Sequence, residues 1–289
     1  MRVVRFRDPD GVSRTGFLDG AEVAEVPGER GRIALETVLL DGDDALARLQ
    51  ASAQGGRRYA VDGLALLPPL TQPPKVLGIG LNYPEHAAEN ALETPSEPVV
   101  FAKLASSIVG PNDPIRLPNA APRRVDYEAE LGVIIGRTGR DIAVEDAMRF
   151  VLGYTAINDV TARDWQAKKP AGQWMLGKSF DTFLPIGPSI VTADEIADVG
   201  QLRITCTIDG EVLQDDRAGS MLFPISEIIA YVSRVATLVP GDLILTGTPS
   251  GTGSARTPPR WLKAGDVVEV AVSDIGTLRN PVQEQDATP

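Results

Sequence analysis

The sequence predicts an α+β protein that is rich in β-structure. From Lys75 onward, short apolar runs alternate with glycines and prolines, as at residues 76–79, 98–102, 130–135 and 243–246. Apolar runs of this length between turn residues are typical of strands. Apolar residues recur at helical spacing only in a few segments, at 86–92, 144–150 and 225–238. We therefore expect few helices in this larger region.

The first 69 residues are predicted to form a small α+β domain of their own. Arg2–Arg7 has the pattern of a strand, residues 8–11 have the composition of a turn, and residues 35–49 have helical spacing that Gly42 interrupts. Prolines cluster at positions 68, 69, 73 and 74, and such a cluster is typical of a semi-rigid connection. These observations predict two domains, 1–69 and 70–289.

The composition excludes several classes of partner. The chain has 289 residues, of which 43% are hydrophobic and 23% charged, with a net charge of −11. That charge repels phosphate backbones and anionic lipids, so neither nucleic acid nor a membrane is expected as a partner. The longest apolar runs are much shorter than the roughly 20 residues of a membrane span. The single cysteine, Cys206, together with a polar beginning, predicts a reducing, cytoplasmic location.

A single histidine, His86, restricts the chemistry of the chain. Zinc sites usually use several histidines and cysteines, so any bound metal is expected to be a hard cation held by carboxylates: Mg²⁺, Mn²⁺ or Ca²⁺. The sequence has neither a Gly-x-Ser-x-Gly elbow nor a Walker loop, and Tyr83 stands where a dinucleotide fingerprint needs its third glycine. Serine-hydrolase and nucleotide-dependent chemistry therefore lack support.

Three acidic residues are candidate metal ligands. Glu128 and Glu130 lead into the apolar run 131–135, and side chains two apart on a strand share one face. Like charges this close favour a bridging divalent cation, although a solvated acidic face on an edge strand gives the same spacing. Asp159 directly follows the apolar segment 150–157. It is either a third ligand or a cap of the following helix.

His86 and Glu89 are candidates for proton transfer. They are three residues apart in a predicted helix, where a carboxylate on the same face orients an imidazole and raises its basicity. A surface histidine with a helical neighbour is the alternative. Lys178 is expected to face carboxylates, either as a functional ammonium or in a structural salt bridge. The glycine-rich segment 245–253 offers amides and hydroxyls that suit a substrate carboxylate.

Five segments in this order resemble the fumarylacetoacetate hydrolase family. The resemblance implies a mixed β-sheet roll, a homodimer, an Mg²⁺ or Mn²⁺ ion at the base of an open cleft, and a small 2-oxo acid as substrate. The matching segments are GIGLNYPEH (78–86), VDYEAELGV (125–133), GYTAINDVTARD (153–164), GKSFDTFLPIGP (177–188) and GDLILTGTPSG (241–251).

The resemblance also implies a role for each candidate residue. Asn82 stands about where relatives that cleave fumarylacetoacetate carry a fourth acidic ligand, so a smaller substrate of the acylpyruvate type is expected. The implied metal ligands are Glu128, Glu130 and Asp159, the base is His86 with Glu89, the active-site lysine is Lys178, and the substrate-binding residues are Ser106, Gln166 and Thr248.

The first functional hypothesis is a metal-dependent hydrolase that cleaves a carbon–carbon bond in a 2,4-dioxo acid. Cleavage would pass through a pyruvate-like enolate, which a metal and Lys178 are suited to stabilise. The same enolate serves oxaloacetate decarboxylation, keto–enol tautomerisation, and the isomerisation or hydration of 2-hydroxymuconate-type acids, so these reactions stay as alternatives. An alternative of another class is a non-catalytic homodimer that binds a metal or ligand. The presence of every candidate residue in one chain counts against it.

Overall fold

The computed structural model describes residues 1–42, 44–121 and 123–285. No helix in these ranges is long and apolar enough to cross a membrane. The α-helices are α1 (Leu35–Leu39), α2 (Ala45–Ala53), α3 (Pro84–Glu89), α4 (Arg163–Gln166), α5 (Trp174–Gly177) and α6 (Ile225–Val235). The strands are β1 (Arg2–Arg7), β2 (Ser13–Asp19), β3 (Glu22–Glu25), β4 (Arg58–Ala60), β5 (Ala65–Leu67), β6 (Val76–Gly80), β7 (Val99–Ala102), β8 (Ile108–Val109), β9 (Ile115–Leu117), β10 (Val125–Asp126), β11 (Ala129–Ile135), β12 (Val151–Asn158), β13 (Thr161–Ala162), β14 (Leu184–Thr192), β15 (Arg203–Ile208), β16 (Glu211–Arg217), β17 (Leu243–Leu245), β18 (Val267–Val272) and β19 (Gly276–Glu284).

Two mixed sheets form the core of the described chain. The larger has 12 strands and runs β4-β3-β2-β1-β14-β12-β11-β17-β6-β7, with β5 on β1 and β8 on β14. The smaller has five strands in the order β16-β15-β18-β19-β9. Most pairs are antiparallel, but β6 with β17, β8 with β14 and β9 with β19 are parallel. The β-rich α+β class that the sequence predicts is confirmed.

Strand β11 is buried along its whole length because both of its faces are covered. Leu131, Val133 and Ile135 belong to one large hydrophobic cluster with residues of the smaller sheet. Ile134 points the other way, into a second cluster that includes Leu35 of α1. A strand buried on both faces reads as a continuous apolar run, which is why residues 131–135 stand out in the sequence.

The leading segment continues the larger sheet. Strand β1 pairs antiparallel with β14, with Arg2 opposite Val191 and Val3 opposite Ile190. Helices α1 and α2 cover this part of the sheet with apolar side chains such as Leu46. The domain boundary near position 69 stays a prediction.

Four predicted helices have different limits in the structure. Residues 35–49 form two helices, because Gly42 takes a φ of +109° between them. Residues 144–150 contain only the 3-10 turn Ala147–Phe150, after which the chain enters β12. Helix α6 ends at Val235, because the backbone of Leu238 pairs with Gly139. The helix predicted at 86–92 lies at Pro84–Glu89 and ends before Ala91, whose φ is +54°.

The pairing of β11 with β12 brings the predicted acids to one edge of the sheet. Ala129 lies opposite Asn158 and Glu130 opposite Ile157. Glu128 directly precedes β11 and Asp159 directly follows β12, so the two residues lie side by side. The Asp159 amide donates to the Glu128 carbonyl at 2.8 Å. Antiparallel register thus places side chains that are about thirty residues apart in sequence next to each other.

Candidate active site

Three buried carboxylates converge at this edge of the sheet. Glu128, Glu130 and Asp159 each offer an oxygen, and these oxygens lie within 4.8 Å of one another. Each residue is at most 4% exposed. The expected convergence of the three acids is therefore present, although Glu128 directly precedes β11 instead of lying within it.

Two lysines neutralise much of this negative charge. Lys178 Nζ donates to Glu128 Oε2 at 2.7 Å, to Asp159 Oδ2 at 2.6 Å and to Thr161 Oγ1 at 2.9 Å. Lys103 Nζ donates to the other Asp159 oxygen at 2.6 Å and to the carbonyls of Val160 and Phe183 at 3.3 and 3.0 Å. An ammonium has three donors, so both lysines are fully engaged by the protein itself.

Arg163, the first residue of α4, supplies the third cation. Its Nη2 lies 2.7 Å from Glu128 Oε1, and its Nε donates to Asp126 Oδ2 at 2.9 Å. Its Nη1 donates to Gln166 Oε1 at 2.8 Å. Glu128 is thus held between Arg163 and Lys178. Burial alone would raise the pKa of Glu128, but the charges of Lys178 and Arg163 lower it well below its usual range.

Glu130 differs from the other two acids in its environment. Within the described residues it forms no ion pair, and its Oε2 accepts a hydrogen bond from the Gly247 amide at 2.8 Å. Burial, followed by repulsion from Asp159 and Glu128, raises the pKa of the Glu130 carboxyl well above its usual range. This carboxylate is therefore the least compensated charge of the cluster.

The donor set fits a hard divalent cation. Mg²⁺, Mn²⁺ and Ca²⁺ prefer carboxylate oxygens, and the three acids supply such oxygens within a short distance of one another. A cation beside Glu130 would also compensate the charge that no lysine or arginine of the described chain pairs with. The residues that would hold it are Glu128, Glu130 and Asp159.

The two residues predicted to transfer protons, His86 and Glu89, contact each other on helix α3. His86 Nδ1 lies 2.7 Å from Glu89 Oε1. The Gly251 amide donates to Glu89 Oε2 at 2.7 Å, and Thr252 Oγ1 donates to Glu89 Oε1 at 3.0 Å. Burial alone would raise the pKa of Glu89, but the hydrogen bonds from His86 and Gly251 lower it. An ionised Glu89 is suited to orient the imidazole.

Four amides of the glycine-rich segment bind the protein's own acids. The expected contact of this segment with a substrate carboxylate stays a prediction. Gly247 donates to Glu130 and Gly251 to Glu89, while Gly253 and Ser254 donate to Asp126 at 2.8 and 3.0 Å. We call residues 247–254 the glycine loop. Buried carboxylates need hydrogen-bond donors, and these four amides supply them.

A cavity of about 430 Å³ opens above the carboxylates. The candidates His86, Gln166, Lys178 and Thr248 line it together with the three acids. Glu89 lies behind His86. Ser106 is exposed in the 3-10 turn Ala105–Ser107 and lies outside this lining. Its predicted contact with substrate stays a prediction.

Two polar residues near the cavity are engaged by the protein backbone. Thr248 Oγ1 donates to the Ala129 carbonyl at 2.9 Å and accepts from Gln214 Nε2 at 2.7 Å. Asn82, the position without a fourth acid, is fully buried. Its side chain donates to the carbonyls of Thr246 and Phe223 at 2.7 and 3.1 Å and accepts from the Phe223 amide at 2.8 Å. Asn82 therefore holds the segment that leads into α3 against the backbone of Thr246 and Phe223.

Sequence reasoning missed three residues of this site. Asp126 and Arg163 lie within the matching segments and Lys103 lies between two of them, but no local pattern distinguishes a buried charge from a solvated one. Lys103 is 56 residues from the carboxylate that it pairs with. Its only signal is a lone lysine directly after the apolar run 98–102.

Comparison with known proteins identifies the family. The description "fumarylacetoacetate (FAA) hydrolase C-terminal" matches residues 75–283. The chain belongs to the fumarylacetoacetate hydrolase family. It is 47% identical over 291 residues to a human protein named oxaloacetate tautomerase FAHD2A, mitochondrial, covering 98% of this chain and 91% of that protein. A Xenopus laevis protein named oxaloacetate tautomerase fahd2, mitochondrial, is 43% identical over 288 residues, with 98% and 90% covered.

Solved structures of this family have the same fold. A fumarylacetoacetate hydrolase from Exiguobacterium antarcticum superposes with a TM-score of 0.86 at 37% identity, covering 99% of this chain and 100% of that one. A maleylpyruvate hydrolase from Sphingobium sp. SYK-6 superposes with a TM-score of 0.81 at 29% identity and the same coverage. The names of these relatives describe enzymes of more than one reaction type.

We predict that Lys103→Met destabilises the fold strongly. The change removes an ammonium that is 0% exposed and leaves Asp159 Oδ1 without its charged partner. Breaking a buried ion pair from one side costs about 3 to 5 kcal/mol. Urea denaturation measures the free energy of unfolding, with Lys263→Met at an exposed position as the control. A loss below about 1 kcal/mol would contradict this account of the buried pair.

Proposed function

We propose that this protein is a divalent-metal-dependent enzyme that interconverts the keto and enol forms of a 2-oxo dicarboxylic acid, with oxaloacetate as the first candidate. The observation that carries the proposal is that His86, which contacts Glu89, and a buried three-carboxylate cluster line one cavity. The tautomerase names of relatives that match 98% of the chain support this reaction over the hydrolysis expected from the sequence.

The proposed reaction moves one proton between carbon and oxygen. His86 would remove a proton from C3 with Nε2, because Nδ1 is directed at Glu89. The imidazolium would then give a proton to the 2-oxo oxygen, so atoms and charge balance and His86 returns to its neutral form. Glu89 stays ionised throughout, since its pKa is lowered. A cation held by Glu128, Glu130 and Asp159 supplies Lewis-acid polarisation of the 2-oxo group.

The wall of the cavity offers two cations for the second carboxylate of such a substrate. Arg124 and Lys168 line the cavity. The Arg124 side chain is 44% exposed, and its one ion pair within the described ranges is a 3.5 Å contact with Asp164. Lys168 is exposed and forms no ion pair within the described residues. Unlike Lys178 and Arg163, these two side chains retain donors for a ligand.

Hydrolysis of an acylpyruvate is the second candidate. The apolar side of the cavity favours it, since Leu92, Phe101, Trp174 and Trp261 form a wall that oxaloacetate does not need. The same His86 would then activate water instead of removing a substrate proton. The homodimer and the cytoplasmic location stay predictions, and the human and Xenopus relatives are named as mitochondrial proteins.

Replacement of Glu130 tests the metal site. We expect Glu130→Gln to reduce tautomerisation on the order of 10²-fold or more, because the least compensated ligand is lost. It should also remove the thermal stabilisation that Mg²⁺ or Mn²⁺ gives the wild type. The measurements are enol absorbance decay and melting curves with and without metal. Glu227→Gln, at an exposed helix position, is the control. An undiminished rate would exclude the assigned ligand.

Replacement of His86 tests the base and separates the two candidate reactions. We expect His86→Ala to lower tautomerisation of oxaloacetate by on the order of 10² to 10⁴-fold. Metal affinity should not change, because the imidazole is not a ligand in this proposal. Pyruvate release from acylpyruvates is measured in parallel. Wild-type activity in that assay without tautomerase activity would favour the hydrolase, and equal tautomerisation by both proteins would rule out His86 as the base.

Replacement of Arg124 and Lys168 tests the substrate class. Arg124→Gln and Lys168→Gln should each raise KM for oxaloacetate roughly 2- to 5-fold, which is what an exposed ion pair contributes. The KM for a 2-oxo acid with one carboxylate, such as phenylpyruvate, should not change. Lys169→Gln is the matched control, because Lys169 lies over the Trp165 ring, 4.6 Å from its centroid, and not in the cavity wall. Equal effects on both substrates would contradict a subsite for the second carboxylate.

A further inference from the structure

The glycine loop holds the carboxylate that orients the base. Thr252 is 0% exposed, and its Oγ1 donates to Glu89 Oε1 at 3.0 Å. The same Glu89 oxygen lies 2.7 Å from His86 Nδ1. The other Glu89 oxygen accepts from the Gly251 amide at 2.7 Å. Both oxygens of the carboxylate are therefore fixed from one short stretch of chain.

Asp126, which neighbours the carboxylate cluster, holds that stretch of chain in place. The amides of Gly253 and Ser254 donate to the two oxygens of Asp126, which also accepts from Arg163. A Cβ on Gly253 would lie 2.6 Å from Asp126 Oδ1 and 2.0 Å from the Arg260 carbonyl, so only glycine fits. The backbone at Gly251 takes a φ of +100°, which glycine adopts most readily. The position of the Thr252 hydroxyl is therefore set by the fold.

We propose that Thr252 is a positioning residue for proton transfer. By holding Glu89, its hydroxyl keeps the neutral His86 protonated at Nδ1 and leaves Nε2 free toward the cavity. The tautomer of a histidine is set by the hydrogen bond that its other nitrogen makes. This inference rests on the proposed function in assigning proton transfer to His86. The hydrogen-bond geometry itself does not depend on which substrate is used.

The chain offers a direct readout, because His86 is its only histidine. One pair of imidazole ¹⁵N signals therefore reports the tautomer of this residue without assignment. Thr252→Val keeps the shape of the side chain and removes the donor, and Thr252→Ser restores the hydroxyl. Ser250→Ala is the control in the same loop, since the Ser250 hydroxyl contacts only Glu85 at 3.3 Å.

The expected result has three parts. At a pH where the imidazole is neutral, Thr252→Val should shift the ¹⁵N signals toward the Nε2-protonated tautomer. It should lower kcat about tenfold, as for the loss of a hydrogen bond to a charged group, with KM and Mg²⁺ affinity unchanged. Thr252→Ser should recover both the wild-type signals and the wild-type kcat. Ser250→Ala should match the wild type.

Two results would overturn the inference. Unchanged ¹⁵N signals in folded Thr252→Val would mean that the hydroxyl does not set the tautomer. A loss that Thr252→Ser fails to recover would mean that Thr252 acts only through packing. Failure of the proposed function is a different observation: the wild type would not tautomerise oxaloacetate, while the ¹⁵N shift in Thr252→Val would still report on the hydrogen bond.

Discussion

The burial of several carboxylates at one edge of a sheet is the constraint on which the site depends. Asp126, Glu128, Glu130 and Asp159 are each at most 4% exposed, and isolated charges in such surroundings would be strongly unfavourable. The chain compensates them with three cations, Lys103, Lys178 and Arg163. Four carboxylates and three cations leave a net charge of −1. Glu130 carries this charge, because it has no cationic partner in the described chain. A divalent cation held by the cluster would more than offset this charge.

The glycine loop follows from the same constraint. Glu130, Glu89 and Asp126 approach it from different elements, and each accepts a hydrogen bond from one of its glycine amides. At Gly253 a Cβ would collide with the Asp126 carboxylate and the Arg260 carbonyl, so this position requires glycine. The loop thereby links the orientation of His86 to the arrangement of the metal ligands. A displacement of Asp126 would be expected to reach Glu89 through Thr252.

The parts of the site that could be predicted from the sequence are those whose residues lie within a few positions of each other in the chain. The two-residue spacing of Glu128 and Glu130 at the start of β11 was enough to predict that they lie close together, and helical spacing was enough for His86 with Glu89. Lys103 and Asp126 were not predictable in this way, since their partners lie 56 and 127 residues away. The bonds from the glycine loop to Glu130, Glu89 and Asp126 were not predictable, because the sequence does not show which acids approach these amides. The limits of α1, α2 and α6 depended on tertiary hydrogen bonds and a positive φ that periodicity does not contain.

The reaction that this site carries out is decided outside the carboxylate cluster. A cation on three acids stabilises an enolate in every candidate reaction, and so does not distinguish tautomerisation from hydrolysis. The difference is what lies opposite His86 Nε2: a substrate C–H bond in one case and a water molecule in the other. That choice depends on how the substrate is held between the cations Arg124 and Lys168 and the apolar wall of Phe101 and Trp174. In the proposed tautomerase, a substrate held at both of its carboxylates would present C3 to His86, whereas in the proposed hydrolase an apolar acyl group would leave space for water. On this proposal, the residues around the carboxylate cluster, rather than the cluster itself, would select the reaction.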